Sequence, residues 1–257
     1  MSYNFKDKVV LITGAGSGIG RATAIKMASL SATLALCDLN YDALEATSKL
    51  CSTSTSPLPR YIEDVDVSSN QEVKKFIEAT VQKLGPINHI FNCAGINPTS
   101  IPIEETTDEY WTSLINTNLG GVFNMTRAAI PHLAPNASFV NVSSVSGIRP
   151  SAMQAVYCTT KYGLIGFSKC MALELGPRGI RTNIICPGYI DTPTNAGIVQ
   201  GGEAVERMIN GNALGRLGTP EEVADVVAFL FSDEARYMNG SVVEIDGALR
   251  TSSTTSK

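Results

Sequence analysis

A five-residue apolar run, Val9-Val-Leu-Ile-Thr13, passes into Gly14-Ala-Gly-Ser-Gly-Ile-Gly20 and then into a helical pattern from Arg21 to about Leu30. No other stretch constrains the fold as tightly. A continuous apolar run of this length reads as a strand buried on both faces, as in a parallel sheet covered by helices. Glycines at a strand-to-helix turn let the backbone approach a pyrophosphate, which rests on the N–H groups and dipole of the helix start. The spacing G-x-G-x-x-G fails, because Ile19 or Arg21 would have to be glycine. The spacing G-x-x-x-G-x-G fits, with Gly14, Gly18 and Gly20 flanked by Ser17 and Ile19.

The same alternation continues. Thr33 to Cys37 is a second buried strand, and Asp38 closes it 18 residues after Gly20. A carboxylate there accepts hydrogen bonds from adenosine ribose hydroxyls and repels a 2′-phosphate. Leu39 and Ser17 are not basic, and Arg21, in the first helical turn, is expected on a solvated face. The pattern therefore predicts NAD rather than NADP, the other role open to Asp38 being that of a helix cap. Arg60 to Val65 is the third strand, followed by Asp66 and Val67. Asp66 either meets the adenine amino group or caps a helix from about Ser69 to Leu84. Ile87 to Phe91 is the fourth strand, ending in Asn92-Cys93-Ala94-Gly95, where small residues let a cofactor lie against the strand end. Asn97 to Ser100 forms a loop on that edge.

Asp108 to Leu133 reads as one long helix, and Asn118 beside Gly120 and Gly121 predicts a kink or a buried water within it. Ala137 to Val142 is the fifth strand and ends in Ser143-Ser144. Tyr157 follows 13 residues after Ser144 and Lys161 four residues later, on one face of a helix from about Ala155 to Leu175. A free phenol has a pKa of roughly 10. An adjacent ammonium is expected to lower it, giving a proton donor and acceptor for an alcohol or ketone. Ile180 to Cys186 and Gly240 to Ile245 are the sixth and seventh strands. Pro187-Gly188-Tyr189-Ile190-Asp191-Thr192 follows the sixth, and Pro193 to about Gly215 is expected to contain a substrate lid.

With 257 residues, 44% of them hydrophobic, the chain suffices for one large α/β domain. A net charge of −4 and no basic patch argue against nucleic acid. No apolar run approaches the roughly 20 residues needed to cross a bilayer, and Met1 to Lys8 lacks a signal-peptide pattern. Thr251 to Lys257 reads as a flexible tail. The six cysteines show no metal-ligand spacing and are expected as small buried hydrophobes of a reducing, cytoplasmic protein. His89 and His132 are expected to be structural; no metal is predicted.

Taken together, these segments resemble the short-chain dehydrogenase/reductase family from about Phe5 to Leu249. The resemblance rests on Thr13-Gly14-x-x-x-Gly18-Ile19-Gly20, Asn92-Cys93-Ala94-Gly95, Asn118-Leu119-x-Gly121, Asn141-Val142-Ser143-Ser144, Tyr157-x-x-x-Lys161 and Pro187-Gly188. Cys93 in place of a second asparagine, and Ala248 after Asp246-Gly247, depart from the family pattern and put local packing in question. The resemblance implies a Rossmann-type doubly wound sheet of about seven parallel strands with helices on both faces, in a single domain. It implies Tyr157 as general acid/base and Lys161 on the nicotinamide ribose. Ser144 would hold the substrate oxygen, and Asn118 a water leading from Lys161 to solvent. Ile190 and Thr192 would hold the carboxamide. It also implies a homo-oligomer, tetramer or dimer, packed through two long helices.

The expected reaction interconverts a secondary alcohol and a ketone with NAD. The expected substrate lining is Asn97, Ser146, Ile148, Met153, Gln154, Tyr189, Thr194, Ile198 and Met208. These residues are uncharged, and no arginine is clearly aimed inward, which points to a neutral, fairly apolar small molecule, with cyclic compounds among the candidates. Arg149, just past the serine strand, is the residue most able to change that reading. Two other functions use the same fold: a nucleotide-sensing protein without turnover, and an epimerase or dehydratase with bound cofactor.

Overall fold

The computed structural model describes residues 3–52, 60–97, 100–192 and 202–249. Among them, seven parallel strands form one sheet in the order β3-β2-β1-β4-β5-β6-β7. The strands are β1 (Val9–Thr13), β2 (Thr33–Asp38), β3 (Arg60–Asp64), β4 (Ile87–Asn92), β5 (Leu133–Val142), β6 (Arg181–Pro187) and β7 (Val242–Ile245). The order reverses between β1 and β4, which pair from Val10 opposite His89 to Ile12 opposite Phe91. A crevice opens at such a switch point, beyond the carboxyl ends of the strands. This is the doubly wound Rossmann-type architecture.

The alternation of side chains along each strand feeds two apolar layers. Val10 and Ile12 of β1 join a layer with Met27 of helix α1 (Gly18–Ser29) and Val223, Val227 and Leu230 of a helix from Pro220 to Phe231. Val9 and Leu11 face the opposite layer, with Phe76 and Ile77 of α3 (Asn70–Leu84), Met125 of α5 (Gly121–Ala129) and Leu175 of α6 (Ala155–Leu175). Helix α2 (Tyr41–Leu50) starts beside the end of β2 and adds Leu44 to the first layer. Helix α3 is capped by Ser69, whose hydroxyl accepts from the Glu72 N–H. Asp66 is therefore not its cap.

The helix read as continuous from Asp108 to Leu133 is broken. Helix α4 (Asp108–Leu114) passes into a π turn, Ile115–Gly120, before α5 resumes; a 3-10 turn, Ile130–His132, follows, and Leu133 already belongs to β5. A π turn adds a residue to the helical repeat and commonly marks a functional position. The kink expected at Asn118 takes this form. Gly121 is needed at the exit, because a Cβ there would lie 2.7 Å from Val67 Cγ2.

Pro220–Phe231 completes the described helices after α7 (Gly202–Asn210), so it is α8. Helix α7 lies within the span expected to form a lid; residues 193–201, with Thr194 and Ile198, lie outside the described residues, as does the tail from residue 250. Cys37, Cys51, Cys158 and Cys186 are buried as expected, but Cys170 is exposed on α6. His89 is a core residue, hydrogen-bonded to Ser138 Oγ at 2.8 Å and stacked on Phe231. Burial lowers its pKa to about 3, so it stays neutral.

Candidate active site

One cleft runs along the carboxyl edge of the sheet and gathers most of the residues singled out above. Gly14, Ser17, Gly18, Ile19, Gly20, Asp38, Leu39, Asp66 and Val67 line one end; Ala94, Gly95, Asn97, Ser144, Tyr157, Lys161, Pro187, Gly188, Ile190 and Thr192 line the rest. Ile96, Thr117, Val142 and Ser143 also face it. These last are ordinary residue types whose place depends on neighbouring strand ends, so pattern alone does not mark them.

The glycine turn is shaped for close approach. Gly14 has φ +67°, and a Cβ there would sit 2.9 Å from Ala94 Cα. A Cβ on Gly20 would lie 2.0 Å from the Gly14 carbonyl oxygen, so the first turn of α1 has room only for glycine at this position. Thr13 Oγ1 accepts the N–H groups of Cys93 and Ala94, each at 3.0 Å, and joins the ends of β1 and β4. The turn therefore keeps bare backbone at the start of α1, the kind of place where an anionic group such as a pyrophosphate can rest on helix N–H groups.

At the end of the cleft beside β2, Asp38 is held rather than loose. Its Oδ2 accepts from Gly16 N–H at 2.8 Å and its Oδ1 from Asn40 N–H at 3.0 Å. Asp66 Oδ1 accepts from Ser68 N–H at 2.8 Å, closing a turn that leaves the carboxylate facing the cleft. Arg21 departs from expectation. It is half-buried, its Nε donates to Thr47 Oγ1 at 3.0 Å, and its Nη2 donates to the Gly16 carbonyl. Leu39 is 70% exposed at the rim.

The reaction end is built from α6, the end of β5 and the π turn. Tyr157 is buried, with Lys161 Nζ 5.6 Å from its ring centre. Lys161 Nζ donates to the Val142 carbonyl at 3.0 Å. Ser143 Oγ donates to the Lys161 carbonyl at 2.8 Å and pins α6 to the strand end. Ser144 hydrogen-bonds Tyr157, and its oxygen accepts from Ser146 N–H at 3.1 Å. Ser146 thus orients Ser144 through its backbone and does not line the cleft.

The protonation of the pair differs from the simple expectation of an ammonium lowering a phenol. Burial dominates and raises the Tyr157 pKa to about 12, the Ser144 hydrogen bond opposing it. Burial likewise lowers Lys161 to about 8. Desolvation is the largest cause of both shifts, so Tyr157 rests as a proton donor.

Asn118 is fully buried in the π turn. Its Oδ1 accepts from Ile96 N–H at 2.8 Å, and its Nδ2 donates to the Ile96 carbonyl at 2.9 Å. It therefore fastens the loop after β4 to the π turn, and its Nδ2 also donates to Thr160 Oγ1 of α6 at 3.4 Å. A Cβ on Gly95 would lie 3.1 Å from Asn118 Oδ1 and 3.7 Å from Lys161 Nζ, so the glycine leaves room where these two side chains approach.

Other expectations are redrawn. Asn92 does not line the cleft: it is buried, and its Nδ2 donates to Asn141 Oδ1 at 2.8 Å, which in turn leads to Ser168 on α6. The pairing of β4 with β5 puts Asn92 opposite Asn141. Arg149 does not turn inward; it pairs with Glu244 and, at 3.0 Å, with Asp246. Of the expected substrate residues within the described chain, only Asn97 lines the cleft. Met153, half exposed at φ +63°, accepts the Ile101 N–H through its carbonyl, and Gln154 donates to Ser100 at 3.4 Å, so both tie the segment before α6 to residues 100 and 101. The Ile148 carbonyl accepts from Tyr162 Oη at 2.5 Å. Tyr189 packs near Gly211, just past α7 and its Met208. Among the described residues no group of His, Cys, Asp and Glu is arranged to hold a metal ion.

Comparison with known proteins bears on the family and the fold. The family model described as enoyl-(acyl carrier protein) reductase matches residues 14–249. The 3-oxoacyl-[acyl-carrier-protein] reductase FabG of Thermotoga maritima is 40% identical over 246 residues, covering 95% of this chain and 98% of that protein. A cyclohexanol dehydrogenase of an Acinetobacter species is 37% identical over 251 residues, covering 96% and 97%. The crystal structure of a Brucella melitensis short-chain dehydrogenase/reductase, described as glucose/ribitol dehydrogenase, superposes with a TM-score of 0.91 at 30% identity, covering 98% of this chain and all of that one. With the glycine cradle, the buried Tyr157–Lys161 pair and Ser144 in one cleft, this chain belongs to the short-chain dehydrogenase/reductase family of nicotinamide-dependent oxidoreductases.

Proposed function

We propose that the protein interconverts a secondary alcohol and its ketone with NAD(H), on a neutral, fairly apolar small molecule such as a cyclic alcohol. The observation that carries this reading is the convergence of Ser144, Tyr157 and Lys161 in the cleft that also holds the glycine turn and Asp38. Bound nicotinamide supplies the hydride acceptor or donor. Tyr157 Oη supplies the proton to the forming alkoxide in reduction and receives it in oxidation. Ser144 Oγ, oriented by Ser146 N–H, donates to the reacting oxygen. Lys161 holds the ribose and sets the field at Tyr157. The Ile190 main chain and Thr192 hold the carboxamide, and Asn118 fastens Ile96 in the loop after β4.

Preference for NAD is supported by charge. Asp38 and Asp66 occupy the adenine end, and Lys161 is the only cation among the described cleft residues. Arg21 is committed elsewhere. A 2′-phosphate would therefore meet two carboxylates and no described cation. The same scarcity of cations disfavours a phosphate-bearing thioester, although FabG acts on an acyl carrier protein. The relative named for cyclohexanol supports a neutral cyclic substrate. The two apolar layers across one sheet support a single catalytic domain spanning 1–257. Exposed Trp111, Phe123, Tyr162 and Leu173, on α4, α5 and α6, support a homo-oligomer, which we assign to the cytoplasm.

The test is NADH formation from NAD across cyclic, aliphatic and polyol secondary alcohols, with NADP in parallel and 3-oxoacyl thioester reduction as a separate arm. Turnover of a cyclic alcohol with NAD supports the proposal. NADPH-driven thioester reduction alone would replace it. Binding of NADH without net redox turnover on the whole panel would favour the sensing or epimerase readings.

A further inference from the structure

A closed ring of hydrogen bonds ties the glycine turn to α2 and passes through Asp38. Arg21 Nη2 donates to the Gly16 carbonyl, and Gly16 N–H donates to Asp38 Oδ2 at 2.8 Å. Asp38 Oδ1 accepts from Asn40 N–H at 3.0 Å, and Asn40 Oδ1 accepts from Ala43 N–H at 3.0 Å as the cap of α2. Thr47 Oγ1 donates to the Ala43 carbonyl at 3.1 Å and accepts from Arg21 Nε at 3.0 Å, which closes the circuit. Thr47 is fully buried, and neither it nor Arg21 lines the cleft.

The ring has a mechanical consequence. Gly16 is gripped on both sides: its N–H, in the peptide before it, donates to the carboxylate, and its carbonyl, in the peptide after it, accepts from the guanidinium, so the two contacts together restrict the φ and ψ of the glycine between them. There is no slack at this contact, because a Cβ on Gly16 would lie 2.8 Å from Asp38 Cγ. With one bond on each oxygen, the carboxylate cannot rotate away from the cleft, and each oxygen keeps a lone pair for a further donor. Two hydroxyls of a ribose supply two such donors, whereas a 2′-phosphate supplies repulsion.

We infer that Arg21 and Thr47 are positioning residues for cofactor selectivity: through Gly16 they lock the Asp38 carboxylate where a ribose diol is accepted and a 2′-phosphate is refused. This rests on the NAD reading of the cleft. It assigns the arginine of the first helical turn to the exclusion of NADP, a role opposite to that of a basic residue that binds the phosphate.

The experiment measures dissociation constants of NADH and NADPH by nicotinamide fluorescence, on the full-length protein and on Arg21→Met, Arg21→Lys, Thr47→Val and Asp38→Asn. Arg21→Met keeps the aliphatic stem and loses the donors. The NADH constant is expected to rise about tenfold with the NADPH constant unchanged or lower, so that the ratio between them narrows about tenfold. Thr47→Val should narrow it about threefold, and Arg21→Lys, which retains one donor to the Gly16 carbonyl, should recover part of the loss. An unchanged ratio in Arg21→Met overturns the inference, as does equal weakening of both cofactors, which marks a general loss of structure. If Arg21→Met does not fold, an unchanged ratio in Thr47→Val and Arg21→Lys overturns it. Wild-type preference for NADPH, or indifference of NADH binding to Asp38→Asn, would instead defeat the NAD reading. A ratio that responds to Asp38→Asn but not to Arg21→Met would defeat only the role of the ring.

Discussion

The two ends of the cleft are organised on opposite physical terms. At the adenine end, Asp38 is partly exposed and each carboxylate oxygen has a backbone N–H partner. At the reaction end, Tyr157 and Lys161 are buried with few partners, and desolvation moves the phenol to about 12 and the ammonium to about 8. A recognition group is made specific by being pinned. A group that must exchange a proton is made responsive by being deprived of solvent, so that a positive charge or a substrate oxygen placed nearby acts through a low dielectric. The contrast predicts that changes at the two ends alter different quantities.

The largest effect is expected from Tyr157→Phe. It deletes only the phenolic hydroxyl that exchanges the proton and should lower turnover by about 10²–10⁴, the span typical of a lost general acid, while the NADH dissociation constant moves less than about twofold. Steady-state rates beside a fluorescence titration check this; equal losses in both would erase the distinction between the ends. Asp38→Asn should do the reverse. Loss of a charged acceptor is worth about 1.5–3 kcal/mol, which weakens NADH binding by roughly 10- to 100-fold, with turnover at saturating cofactor little changed.

A third outcome concerns stability. Lys161 has a lower pKa in the folded chain than in the unfolded one, so between about 8 and 10.5 the unfolded chain binds more protons and stability from this residue rises with pH. Tyr157 has the opposite sign. Its pKa rises from 10.0 to about 12 on folding, so its contribution is present below 10 and is lost as pH climbs toward 12. Lys161→Met should therefore be more stable than the wild type at pH 7, and the gap should shrink on titration from 8 to 10, as read by thermal melts. A gap independent of pH would mean that burial does not govern this lysine. The smallest effect belongs to Arg149→Met. The guanidinium bridges the serine loop to Glu244 and Asp246, and such partly exposed pairs contribute about 1 kcal/mol or less. A fall of roughly 2–4 °C in melting temperature with substrate KM unchanged is expected. A large rise in KM would return Arg149 to the substrate.

Particular residues show what pattern reading reaches. Thr13 to Gly20, Asp38, Ser144, Tyr157 and Lys161 are legible because each sits at a fixed offset from a strand end or along one helix face, and local geometry then dictates direction. Asn118 is legible as an irregularity but not as a π turn, since the extra residue depends on how α4 and α5 meet the loop at Ile96. Asn92 misleads because the register of β4 against β5 turns its amide toward Asn141. Arg149 misleads because its partners lie 95 and 97 residues away.

The order of strands and helices, the glycine turn and the spacing of tyrosine and lysine are properties of the chain itself, because short-range sterics and periodicity determine them. Where Arg21 and Arg149 make their bonds, which asparagine faces the cleft, and whether the phenol moves up or down were decided only by the folded structure. Charge and hydrogen bonding depend on neighbours that the sheet brings together from distant parts of the chain, and burial, which dominates both pKa shifts, does not exist until the layers close around the site.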